Sequence, residues 1–176
     1  IKQRIPLIAD TDSSVLIYGE TGTGKELVAE SIHTASKRAG KRFVSQNCAA
    51  IPGNLLESIL FGTKKGSYTG AENKPGLFEI ANGGTLFLDE INSMELNVQA
   101  KILKAIEEKQ VVRLGGYEPI KTDIKVISAV NERPMDCVKA GKLREDLFYR
   151  LSVVQVNIPP LRERRDDILY MTNRFI

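Results

Sequence analysis

The sequence predicts an α/β domain of three layers, a parallel β-sheet with helices packed on both faces. Two observations point that way: short continuous apolar runs alternate with amphipathic stretches, and glycines or acids stand at the ends of two of those runs. Val15 to Tyr18 is the first run, closed by Gly19. Lys25 to Lys37 follows as a helix, because Leu27, Val28, Ile32 and Ala35 fall near one face while Glu26, Glu30 and Lys37 are polar. Phe43 to Gln46 reads as a second strand and Leu55 to Phe61 as a helix. Gly84 to Glu90 is a buried strand ending in two acids. Val98 to Glu108 is a helix, Ile124 to Val130 a strand, Leu143 to Leu151 a helix, Val153 to Ile158 a strand before Pro159-Pro160, and Asp166 to Ile176 a further helix. Strands alternating with crossover helices place ligands at the carboxyl ends of the strands.

The 176 residues, 42% apolar and 27% charged, suit one domain with a real core. A net charge of +3 is too small for a dedicated nucleic-acid surface, although Lys64-Lys65 and Arg162 to Arg165 are local basic clusters. The two cysteines, Cys48 and Cys137, and the lack of a signal peptide or an 18-residue apolar span predict a reduced cytoplasmic setting with no membrane partner. A single histidine, His33, without a Cys/His cluster sets a zinc site aside and reads as packing. A chain that starts at Ile1 and stops inside a helical pattern reads as a piece of something longer.

The segment Gly19-Glu20-Thr21-Gly22-Thr23-Gly24-Lys25-Glu26 joins the first strand to the first long helix. A backbone that wraps a phosphate needs φ values that side chains resist and successive N–H groups turned inward, and a helix N-terminus adds its positive end. Lys25 supplies a point charge for the outer phosphates. The G-x4-G-K spacing is that of a nucleotide-phosphate loop, except that Glu26 stands where a Ser or Thr usually holds magnesium.

The acids after Leu86-Phe87-Leu88 divide the work. Asp89 is expected to hold Mg2+, directly or through water, and Glu90 to orient a water for attack on a γ-phosphate. The only Asn-Lys pair, Asn73-Lys74-Pro75-Gly76, lacks the aspartate of a guanine reader, which makes ATP the expected nucleotide.

With these motifs in view, the chain resembles the AAA+ ATPase domain of bacterial enhancer-binding activators that work with sigma-54 RNA polymerase. The resemblance runs through GETGTGKELVAESIH, NCAAIP, LLESILFG, GSYTGA, GLFEIANGGTLFLDEI, VRLGG, REDLFYRLSVV and IPPLRER, almost the whole chain. It implies a P-loop NTPase fold whose helical lid, regulatory domain and DNA-binding domain lie outside these residues, so that DNA is reached only through a domain absent here. Glu26 then looks like a family trait. Gly66-Ser67-Tyr68-Thr69-Gly70-Ala71 is similar to the family's GAFTGA loop that touches sigma-54, with Ser and Tyr replacing Ala and Phe. Asn47 matches the asparagine that contacts the catalytic glutamate, here Glu90, and Asn131 the sensor of the γ-phosphate, with Val130 where the family often has Thr. Arg144 and Arg150 match the arginine-finger region, Arg150 in FYRL being the first choice. Six residues at about 100° each put the two about 240° apart on a helix, so they serve different faces.

The resemblance implies a homo-oligomer, a hexameric ring, in which ATP turnover drives the loop against sigma-54 and opens the promoter. Its rivals are another AAA+ ring remodeller and a nucleotide-gated binding module without hydrolysis.

Overall fold

The computed structural model describes residues 4–67, 70–165 and 167–168. In chain order it contains helix α1 (Ile5–Ala9), strand β1 (Val15–Tyr18), α2 (Lys25–Thr34), β2 (Phe43–Asn47), α3 (Gly53–Phe61), β3 (Gly62–Thr63), β4 (Lys74–Pro75), α4 (Leu77–Ile80), β5 (Thr85–Asp89), α5 (Leu96–Glu108), β6 (Gln110–Val112), β7 (Pro119–Lys121), β8 (Lys125–Val130), α6 (Pro134–Lys139), α7 (Glu145–Leu151) and β9 (Val154–Asn157). Five strands form one all-parallel sheet in the order β2-β5-β8-β1-β9, and two small antiparallel pairs, β3-β4 and β6-β7, stand outside it.

The period-2 alternation of a strand explains the three layers. Val15 and Ile17 of β1, Phe87 of β5, Ile127 and Ala129 of β8 and Val156 of β9 share a core with Ile8, Ala29 and Ile32 of α1 and α2. Their neighbours Leu16, Leu86, Leu88, Val126 and Val130 point the other way, into a core with Leu56 and Leu60 of α3, Val98 and Ile102 of α5, and Leu147 and Leu151 of α7. Each such side chain contributes about 1.5–3 kcal/mol on burial.

The strands expected from the sequence all form, with ends shifted by a residue or so. The helix expected to reach Lys37 stops at Thr34. Ser36 ends it: its hydroxyl donates to His33 O at 2.7 Å and accepts from Arg38 N–H at 3.1 Å, a local alternative to the next helical turn. Arg144, expected inside a helix, is the residue before α7, in extended backbone. His33 is buried as packing: Nδ1 lies 2.9 Å from Thr85 Oγ1 and its ring sits 5.3 Å from that of Phe43. Most of the helix expected over residues 166–176 lies outside the described residues.

The sequence pattern did not reveal α1, which is anchored by a charge. Lys125, at the start of β8, is fully buried, and its ammonium donates to the carbonyls of Ile8 (2.9 Å), Ala9 (3.4 Å) and Thr11 (2.5 Å). The cation closes the carboxyl end of α1, where unpaired carbonyls collect. Burial pushes its pKa below the usual lysine range. Lys125→Met keeps the volume and leaves those carbonyls without their donor, and is expected to cost about 3 kcal/mol in urea unfolding.

Candidate active site

The parallel sheet brings the chemistry to one edge. β8 lies between β5 and β1, and the register pairs Tyr18 with Val130, Leu88 with Ser128 and Asn47 with Asp89. The residues that follow, Gly19, Asn131, Glu90 and Cys48, therefore leave the sheet at nearly the same level. Gly19 N–H still donates to Val130 O at 3.3 Å, and Cys48 N–H to Asp89 O at 3.0 Å.

The loop from Gly19 to Lys25 needs its glycines. Gly24, immediately before α2, has φ +89°, in the left-handed region. A Cβ on Gly19 would lie 2.8 Å from Thr23 Oγ1 and 2.9 Å from Ile158 O. Thr23 folds inward, its N–H and hydroxyl both donating to Glu20 O. The buried Lys25 ammonium donates to Gly19 O at 2.9 Å and Glu20 O at 3.2 Å, so the cation is held inside the ring of the loop. Thr21 and Gly22 form the turn at its tip.

Asp89 ends β5 with its Oδ1 accepting Glu90 N–H at 2.9 Å. Glu90 itself adopts φ 54°, ψ 45°, a left-handed conformation uncommon for a non-glycine residue, and leads into a 3-10 turn, Ile91–Ser93. Glu26 points from the first turn of α2 toward β2, where its Oε1 accepts from Ser45 Oγ at 2.7 Å. Asn47 lies beside Asp89, but its side-chain Oδ1 accepts Ala49 N–H at 2.9 Å, so the side chain engages the start of the next loop and not Glu90. Asn131 Oδ1 accepts from Asn92 Nδ2 at 3.1 Å.

The two arginines are not part of this edge. Arg144 forks onto Asp146 at 3.0 and 2.7 Å, with its backbone N–H held by the buried Gln99 side chain. Arg150 lies at the far end of α7, where its guanidinium reaches Ile106 O at 3.4 Å and lines a cavity with Arg38, Lys109 and Asp123.

Sequence reasoning missed a second wall. A cleft of about 630 Å³ beside the loop is lined by Tyr18, Gly19, Glu20, Arg133 and Met135, and on the other side by residues 157–160 with Arg162 and Glu163. In sequence, Arg162 to Arg165 is only a local basic cluster. In the structure Arg162 forks onto the Glu20 carboxylate (2.8 and 2.5 Å) and Arg164 donates to Thr23 O at 3.0 Å. The Arg162 hydrogen bonds hold the Glu20 carboxyl below its usual pKa. No local signal marked these contacts, because about 140 residues separate the partners.

Of the segment from Gly66 to Ala71, Tyr68 and Thr69 lie outside the described residues. Gly66 and Gly70 flank them with φ of +90° and +83°, and Ala71 is buried. The segment rises from β3 and β4, where Gly62 and Gly76 approach so closely that a Cβ on Gly76 would meet Gly62 N at 2.4 Å. The turn between β6 and β7 braces it: Lys64 N–H donates to Leu114 O, Leu114 N–H to Gly62 O, and Ser67 packs on Gly115. Arg113 forks onto Glu79 at 2.8 and 2.6 Å, and Glu79 also accepts Gly76 N–H at 3.2 Å. Burial raises the Glu79 carboxyl pKa, but the Arg113 hydrogen bonds and charge together with the Gly76 N–H outweigh it and the net shift is downward.

A parallel sheet with a glycine loop and buried lysine at one strand end, and two acids two strands away, defines a P-loop NTPase. The model of the "Sigma-54 interaction domain" matches residues 1–157, and the chain belongs to that family. It is 57% identical over 166 residues to the transcriptional activator RocR of Bacillus subtilis, covering 94% of this chain and 36% of RocR. It is 52% identical over 164 residues to the DNA-binding transcriptional regulator NtrC of Escherichia coli, covering 93% of this chain and 35% of NtrC. The crystal structure of NtrX from Brucella abortus in complex with ATP superposes with a TM-score of 0.91 at 41% identity, covering 99% of this chain and 39% of that one. The chain thus spans about a third of the length of these relatives. Among the described residues, no helix is long and apolar enough to cross a membrane.

The Glu79–Arg113 fork closes the base of the loop. Glu79→Gln is expected to lower stability by about 1–2 kcal/mol and to speed amide hydrogen exchange at Gly62, Thr63 and Gly76 more than in the central sheet.

Proposed function

We propose that this domain hydrolyses ATP and uses the turnover to remodel sigma-54 RNA polymerase for promoter opening, as a cytoplasmic homo-oligomeric ring, hexameric by likeness to its family. One observation carries the reading: the sheet register sets the Lys25 loop and the Asp89-Glu90 pair on one edge with β8 between them. NtrX, at 41% identity, crystallises with ATP, which supports the same nucleotide here.

The donor set fits magnesium. Among the described residues no three acids, histidines or cysteines gather round one point, and a cation that prefers waters and phosphate oxygens with one or two carboxylates needs only Asp89. When bound, magnesium neutralises charge on the β- and γ-phosphate oxygens. Glu26, engaged by Ser45, is held off from that role.

Lys25 exchanges its loop carbonyls for the outer phosphates, while backbone N–H groups of Gly22 and Gly24 and the start of α2 cradle them. Glu90 orients a water toward the γ-phosphorus. The water oxygen forms the new P–O bond, the bond to the β-γ bridging oxygen breaks with its electron pair leaving on ADP, and the water's proton passes to the carboxylate or the released phosphate. Asn131 reads the γ-phosphate, and Asn47 turns to Glu90 in one nucleotide state. Arg150 acts on the neighbouring subunit's nucleotide while Arg144 anchors the interface or assists; neither lines this chain's own cleft, which supports a role in trans. Gly66 to Ala71, with Tyr68 as its aromatic tip, engages sigma-54 in the triphosphate state. Such coupling requires contacts that differ between the two states, since a nucleotide favouring neither shifts nothing.

Phosphate release by the full-length chain is expected to vanish in Lys25→Ala and Glu90→Gln, and specific activity to rise steeply with protein concentration. Arg150→Ala is expected to lose about 10³-fold or more and to flatten that rise. Tight ATP binding with no phosphate release in the parent protein would favour a nucleotide-gated binding module instead. Retention of sigma-54 in the presence of a transition-state analogue, lost in Tyr68→Ala, separates this reading from other ring remodellers.

A further inference from the structure

The turn behind Glu90 contains a residue to which neither the motifs nor the reading above gives a task. Asn92, second in the 3-10 turn Ile91–Ser93, is 8% exposed. Its Nδ2 donates to Asn131 Oδ1 at 3.1 Å across the gap between β5 and β8, and its own buried Oδ1 has no partner.

A carboxamide is asymmetric, with one end that accepts and one that donates. A neighbour that donates to the accepting end fixes which way round the group sits. Asn92 does this to Asn131, holding its carbonyl against the acid turn and keeping its NH2 as the end left for a ligand. Asn131 follows Val130, whose carbonyl holds Gly19 N–H, so this donor stands between the phosphate loop and Glu90. Phosphate oxygens only accept hydrogen bonds, so an asparagine the other way round would present the wrong atom.

Simple packing explains the turn poorly. A buried asparagine that serves structure alone is expected to satisfy both ends, whereas Asn92 leaves an acceptor orphaned, at a cost of about 1–3 kcal/mol. Two residues earlier Glu90 occupies left-handed backbone. Left-handed backbone at Glu90 and an unmet acceptor at Asn92, within three residues, mark a turn that is not shaped for stability alone.

We propose that Asn92 is a positioning residue: it locks the Asn131 carboxamide with its NH2 free to donate to a terminal phosphate oxygen, and ties that donor to the turn bearing Glu90. The proposal rests on the reading of this cleft as an ATP site.

The test uses the full-length protein and measures kcat for ATP, the affinities for ADP and for a non-hydrolysable ATP analogue, and melting temperature. Asn92→Ala removes the donor; Asn92→Asp, nearly isosteric, sets an acceptor against Asn131 Oδ1. Both are expected to keep ADP affinity within about two-fold, while Asn92→Ala loses about ten-fold in kcat and in preference for the analogue over ADP, and Asn92→Asp loses more. In an Asn131→Ala background, Asn92→Ala is expected to add nothing. If Asn92→Ala does not fold, Asn92→Asp carries the test alone. Unchanged kcat and preference, equal loss of ADP and analogue affinity, or additivity with Asn131→Ala overturns the proposal. If the parent protein releases phosphate in a Lys25-dependent way and the Asn92 variants match it, only this inference fails. If the parent neither binds nor splits ATP, the ATP reading fails and takes this inference with it.

Discussion

The pairing of β8 with its two neighbours is the constraint on which the site depends. β1 and β5 do not pair; each is positioned by hydrogen bonds to β8, from Val15↔Ile127 to Tyr18↔Val130 on one side and from Thr85↔Lys125 to Leu88↔Ser128 on the other. The glycine loop continues β1 and the acids end β5, so their separation is set by two rungs of one ladder. A slip of a single residue would turn each strand's core side chains to the opposite face and break both cores at once. Geometry near the cleft is therefore enforced by apolar packing far from it. Lys125 shares in this, since the strand that spaces the site also carries the cation that holds α1 on the sheet.

The same edge is linked to the base of the segment 66–71 through short connections. β2, whose Asn47 lies beside Asp89, passes through Cys48 into α3, and α3 runs directly into β3 at the loop base. From the other side α4 packs against α3 through Phe61 and Phe78, whose rings stack 5.5 Å apart, and carries Glu79 to Arg113. The contact of Gly62 with Gly76 leaves no slack between the stems. The Asn47 turn and the base of the 66–71 segment are thus joined by close-packed elements, and close-packed interfaces shift between discrete arrangements and do not stretch.

The layers and the phosphate edge were legible from local pattern. Continuous apolar runs such as Val15 to Tyr18 and Leu86 to Leu88 carry their burial in their own composition, and the glycine loop declares its backbone demands residue by residue. What stayed hidden depends on partners distant in sequence. α1 is five residues long and exists because Lys125 reaches it from β8. β3, β4, β6 and β7 are two or three residues each, too short to show a period, and are held by Glu79, Arg113 and the glycine contacts. The fork of Arg162 on Glu20 belongs to the same class: a charge cluster looks identical in sequence whether it faces water or a carboxylate carried by another loop.

That fork bears on how the loop meets a ligand. Lys25 already occupies two carbonyls inside the loop, Thr23 folds onto Glu20 O, and Arg162 and Arg164 hold Glu20 and Thr23 from outside. The cradle is shaped before any phosphate enters, and most of its ordering entropy is spent in folding and not in binding. Under the proposed ATP reading, phosphate oxygens would replace those carbonyls on the Lys25 ammonium without unfolding the loop. The outer braces have a second consequence. Arg162 and Arg164 lie beyond β9, on the segment that also walls the 630 Å³ cleft. The phosphate loop and that wall are therefore joined by side-chain hydrogen bonds, so the outer face of the loop is held by the segment that closes the cleft.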